Sequence, residues 1–202
     1  MSLLRLLSLS LVVCSTVAAC DPVSLGVIGG AATVGTAAAE ERGLSASASD
    51  LRIKAQVTDL WLRSDRDLFS RLTVTVREGR VQITGAVKKP EDQIEAIRLA
   101  WQIDGVKQVL DEIQVEDQSG FVDYTRDVRI AQAMRNRLLV DREIRNINYT
   151  VDVVNATIYL MGIAQNSTEL DRVLAHARDI SGVRRVVNHV ILRDDPRRSP
   201  KN

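Results

Sequence analysis

The chain has 202 residues, with 27 Lys and Arg against 26 Asp and Glu, two Cys, two His, two Trp, three Tyr and two Phe. This near-neutral charge provides no global cationic field for nucleic acid, and so few aromatics provide no platform for stacking single strands. Two Cys and two His make neither a disulfide framework nor a zinc site of the usual spacings, while a 45% apolar composition suffices for a packed core of one ordinary or two small domains.

Residues 1–19 carry one basic residue, Arg5, then an apolar run from Leu6 to Val13, then small residues. That is the layout of a secretory signal peptide, too short to remain as a spanning helix. The stretch Val17-Ala18-Ala19-Cys20 resembles the bacterial lipobox, which implies cleavage before Cys20 and its acylation. Acyl chains contribute about 0.8 kcal/mol per buried methylene, so two or three of them anchor a protein unaided. Residues 20–49 then form an acylated Cys followed by a Gly/Ala/Ser-rich tether. From Pro22 to Ala39 there is no charge, which fits a flexible tether or a small-residue membrane helix. Ser45 to Ser49 reads as a short linker.

Beyond the tether the sequence repeats itself at an offset of 77. The offset takes Asp50 to Asp127, Ile53 to Ile130, Thr73-Val74 to Thr150-Val151, Gly85 to Gly162, Ala100 to Ala177 and Gly105-Val106 to Gly182-Val183 without a gap. Two copies of one small domain follow, 50–115 and 127–192, joined by a linker at 116–126 and ending in a basic, disordered tail at 193–202.

Each copy begins with a helix capped by Asp50 or Asp127, with Ile53, Val57 and Trp61, or Ile130, Met134 and Leu138, at helical spacing. Alternation then marks two strands, Leu72 to Val76 and Val81 to Ile83, or Tyr149 to Val153 and Ile158 to Leu160. The turns contain Gly79 and Asn155, residue types suited to positive φ. A second helix starts at Pro90, at its first position, or at Asn166-Ser167-Thr168-Glu169, a possible capping box. Gly105 and Gly182 stop these helices, and third strands follow at 106–115 and 183–192. The expected fold is α+β, αββαβ twice, each unit two helices on one face of a three-stranded mixed sheet with the other face open.

Val81-Gln82-Ile83-Thr84-Gly85 and Asp104-Gly105-Val106-Lys107-Gln108-Val109, repeated as Ile158-Tyr159-Leu160-Met161-Gly162 and Ser181-Gly182-Val183-Arg184-Arg185-Val186, resemble the motifs of the BON domain of bacterial envelope proteins. Behind a lipobox, the pair is similar to the dual-BON-domain outer-membrane lipoproteins, the DolP-like group. The resemblance implies a non-enzymatic role without a cofactor: binding anionic phospholipid through the first helix of the second domain, and supporting outer-membrane integrity.

At 100° per residue from Ile130, the residues Val128, Arg135, Leu139 and Arg142 form a second stripe, between about 120° and 180°, away from the core positions. Two aliphatic side chains flanked by guanidinium groups suit a phospholipid interface. The alternative is that the stripe packs against the other domain. The first copy has Leu51, Thr58, Leu62 and Asp65 there, without the cations. Residues 50–115 hold 11 basic and 11 acidic side chains, whereas residues 127–192 hold 9 and 7. Arg129 stands where family members can carry an aromatic, and Arg129, Arg184 and Arg185 are auxiliary lipid contacts; the tail adds Arg193, Arg197, Arg198 and Lys201. No nucleotide loop, nucleophile motif or metal motif is present in the sequence, and His176 and His189 read as structural. The alternative to lipid docking is a periplasmic scaffold that binds a protein partner of envelope assembly. Asp21, after the acylated Cys, favours inner-membrane retention in enteric bacteria, whereas the family resemblance favours the outer membrane.

Overall fold

The computed structural model describes residues 40, 43–65, 70–116 and 121–198. The signal peptide, Cys20 and the tether at 20–39 lie outside them. Elements follow the expected order: α1 (Gly43–Ser64), β1 (Leu72–Arg77), β2 (Arg80–Val87), α2 (Pro90–Trp101) and β3 (Gln108–Val115), then α3 (Phe121–Val140), β4 (Tyr149–Val154), β5 (Thr157–Ala164), α4 (Ser167–Arg178) and β6 (Arg185–Leu192). Each sheet has its middle strand antiparallel to the first and parallel to the third, giving orders β1-β2-β3 and β4-β5-β6. The fold is α+β with two αββαβ units.

Residues Ile53, Val57 and Trp61 of α1 are buried against Val81, Ile83 and Val74, and the Trp61 indole donates to Ala96 O at 3.2 Å. Ile130, Met134 and Leu138 play the same part in the second unit, against Val151, Ile158 and Leu160. Both cores and both sheets lie in one compact unit, Ala37–Asn202.

Both first helices start earlier than their aspartates, so the stretch at 45–49 is helical and most of 116–126 opens α3. Asp50 and Asp127 do not cap. Each carboxylate instead accepts two backbone N–H groups of a hairpin turn: Glu78 and Gly79 at 2.8 and 2.9 Å, or Asn155 and Ala156 at 2.6 and 2.8 Å. Those turns need positive φ at both central residues, and Glu78, Gly79, Asn155 and Ala156 lie at 53°, 77°, 48° and 60°.

The sheet faces expected to be open are covered by each other. Along β5, Ile158 and Leu160 point to their helices, while Tyr159, Met161 and Ile163 are equally buried on the opposite face. The first unit meets them with polar side chains: buried Thr75, Gln82 and Thr84. Thr75 Oγ1 donates to Asp152 Oδ2 at 3.2 Å, and Gln114 Nε2 donates to the Tyr159 hydroxyl at 2.9 Å. Two of the cross-contacts, Thr75–Asp152 and Glu112–His189 at 2.6 Å, join residues 77 apart. That spacing is the repeat offset, so equivalent residues face each other and an approximate two-fold axis passes near both pairs, as in an isologous dimer interface.

The motif glycines mark close backbone approach. A Cβ on Gly85 would lie 2.2 Å from Arg71 O, and one on Gly162 would lie 2.3 Å from Asn148 O. Either Gly85→Ala or Gly162→Ala is expected to lower unfolding free energy by about 1–3 kcal/mol through overpacking. Urea denaturation of residues 37–202 checks this, and an unchanged midpoint would show that the strand can yield.

Candidate functional site

Helix α3 turns one face to its core and leaves another uncovered. Val128 is 48% and Leu139 68% exposed, so the first domain does not cover the stripe. Arg135 is also exposed, and its Nη2 donates to Val151 O on the edge of β4 at 2.9 Å. Arg142 is exposed but lies two residues past the helix end, beyond the reach of helical periodicity. Tyr124, 67% exposed, extends the stripe one turn ahead of Val128. Starting the helix at Asp127 hid it, although the i, i+4 spacing to Val128 was available. The exposed Val140, on another side of the helix, also went unread.

Helix α3 is held firmly behind this surface. Asp141, just past its end, accepts from Arg172 Nη2 at 3.0 Å and lies 2.8 Å from His176 Nε2, both on α4. Arg137 reaches Asp179 at 2.7 Å and the His176 carbonyl at 3.1 Å. His176 and His189 therefore each have a ring nitrogen within hydrogen-bond distance of a carboxylate, the latter that of Glu112. Among the described residues no cluster of three or more metal-ligating side chains occurs.

The auxiliary cations are dispersed. Arg129 is exposed and lines a groove of about 470 Å³ with Arg126, Arg137 and Gly182. Arg184 and Arg185 are both exposed where β6 begins. The tail is not free up to Arg198: Arg197 pairs with Asp195 at 2.6 Å, and Arg198 pairs with Glu78 of the first unit at 2.9 Å. Lys201 lies outside the described residues. Of the described residues, no helix is long and apolar enough to cross a membrane.

The BON domain model matches residues 49–117 and again 126–194. The chain belongs to the BON-domain family. Its tandem BON domains resemble an "Uncharacterized protein in gshII 5'region" of Anaplasma centrale, 37% identical over 127 residues, 62% of this chain and 84% of that protein. They also resemble the "Outer membrane lipoprotein DolP" of Haemophilus influenzae, 24% identical over 80% of this chain and 83% of that one. The "Osmotically-inducible protein Y" of Escherichia coli is 24% identical over 70% of each chain.

The Asp141 carboxyl is held down from 3.8 to about 2, first by its bond to His176 and then by Arg172. A depressed acid contributes stability above its unfolded value and loses it as pH falls through its folded one. The grip of α4 on α3 is thus expected to weaken between pH 4 and about 2. In thermal melts across this range Asp141→Asn should show a shallower acid limb than the parent. An identical slope would remove Asp141 from the account.

Proposed function

We propose that this chain is a lipid-anchored envelope protein, acylated at Cys20, whose second BON domain docks on anionic phospholipid through the α3 stripe and supports outer-membrane integrity. The observation that carries the reading is the coincidence of Val128, Leu139 and Arg135 on an uncovered face of α3, with Arg142 exposed just past its end. Guanidinium groups pair with phosphate while the aliphatic groups enter the headgroup boundary. Tyr124 adds an amphipathic ring of the kind favoured at such boundaries. The first copy offers Leu51 and Leu62 to solvent but has Thr58 and Asp65 in place of the cations. Similarity to an outer membrane lipoprotein supports the outer membrane over the inner, although Asp21 runs against it under enteric sorting.

Two measurements test the reading. Residues 37–202 should float with phosphatidylglycerol-containing vesicles and not with phosphatidylcholine alone, less so at high salt. The double variant Leu139→Glu with Arg142→Glu is expected to weaken binding by about 30-fold or more, from one lost basic contact and one lost apolar insertion. Flotation that ignores headgroup charge, or survives the double variant, would remove α3 as the lipid surface. In the full chain, Cys20→Ser should abolish incorporation of labelled palmitate, and persistent labelling would place the anchor elsewhere.

A further inference from the structure

The two-fold relation between the domains creates two equivalent positions beside the interface, and they differ in content. On one side a groove of about 570 Å³ runs between the domains, with Arg71, Thr73 and Ala86 from the first and Val128, Arg135 and Val154 from the second among its walls. That volume is in the range of ligand sites. The 77-residue offset carries Thr73 to Thr150 and Val154 back to Arg77. At this sister position Arg77 Nη1 holds the Glu40 carboxylate at 2.6 Å, and Arg77 Nη2 donates to Thr150 Oγ1 at 3.0 Å. Both side chains of the ion pair are largely shielded, at 10% and 12% exposure. The chain's own segment ahead of α1 thus places a carboxylate where the interface meets the strand edges.

The open groove has the means to hold the same kind of guest. Val154 replaces the cation of Arg77, but Arg71 and Arg135 restore positive charge at positions where the sister side has Asn148 and Thr58. Arg71 makes no ion pair with the described residues, and Arg135 spends one N–H on Val151 O. Two carboxylates also line the groove. Asp127 accepts the two turn N–H groups, and Asp152 accepts from Thr75 and Gln82, so both are already engaged. Strands β1 and β4, which flank the groove, are each at an edge of their sheet. An edge strand presents main-chain groups that an extended peptide can meet.

We propose that this groove binds an extended acidic peptide segment, its carboxylate seated on Arg71 and Arg135 as Glu40 is seated on Arg77. The site is separate from the lipid surface except for Tyr124, Val128 and Arg135, so variants that lie in only one of the two keep the questions apart.

The test is amide chemical-shift mapping on residues 37–202 with the blocked peptide Ala-Ala-Ala-Glu-Glu-Ala and its lysine counterpart Ala-Ala-Ala-Lys-Lys-Ala. The acidic peptide should shift Thr73, Ala86 and Val154 saturably, and the lysine peptide should not. Arg71→Glu, at an exposed position, should weaken the acidic peptide at least about tenfold with an otherwise unchanged spectrum, whereas Leu139→Glu should leave it unaltered. No saturable shift up to millimolar peptide, equal shifts with both peptides, or indifference to Arg71→Glu would overturn the proposal. So would shifts of the same groove residues by phosphatidylglycerol vesicles without any by the peptide, which would give the groove to lipid.

Discussion

A three-stranded sheet with helices on one face has a second face to bury, and the rest of this structure follows from how that is done. Tyr159, Met161 and Ile163 project from β5 away from the helices of their own domain and are shielded from water by the first domain. Fully burying three side chains of this size contributes roughly 5–9 kcal/mol, comparable with the entire stability of a small domain. The first domain meets this apolar face with Thr75, Gln82 and Thr84; Thr75 Oγ1 and Gln82 Nε2 find a partner there, while Gln82 Oε1 is buried without one among the described residues. Asp152 serves Thr75 and Gln82 at once, and burial raises its carboxyl pKa in spite of those bonds and the nearby Arg135 and Lys54. Interface, grooves and strand edges all inherit their positions from this face-to-face packing.

Much of this was legible in the sequence. The strands, the second helices and the positive-φ turns followed from alternation, Pro90, Asn166, Gly79 and Asn155, because those signals are local. The starts of α1 and α3 were not, because an aspartate before an apolar periodic run looks the same whether it caps its helix or bonds a turn about thirty residues away. Mutual covering of the sheets left one readable trace: Ile158 to Ala164 is apolar almost throughout, the mark of a strand buried on both faces. Its counterpart Arg80 to Val87 alternates with Gln and Thr and concealed the contact. For the candidate surface, periodicity anticipated that Val128, Arg135 and Leu139 are exposed on one side of α3, left out Tyr124 because the helix starts earlier than Asp127, and does not extend to Arg142 past the helix end.

The second domain is pinned from several sides. Asp141 and Arg137 fasten α3 to α4, so the stripe is displayed on a helix whose own packing is settled. Arg198, past β6, pairs with Glu78 of the first domain, and Glu40, ahead of α1, pairs with Arg77, which also reaches Thr150 of the second. A surface fixed in this way presents its aliphatic and guanidinium groups in one arrangement, which lowers the ordering cost of any encounter.

The pairs on the two-fold axis have a consequence for how such a protein could arise. In a dimer of identical single domains, each axial residue would confront its own copy: carboxylate against carboxylate, or imidazole against imidazole. Duplication within one gene removes that restriction, because the two copies can change independently. Here Thr75 stands against Asp152 and Glu112 against His189, donor to acceptor and acid to base. A symmetric ancestor could have made neither match, and once made, each ties the two halves to one another rather than to a second copy of themselves.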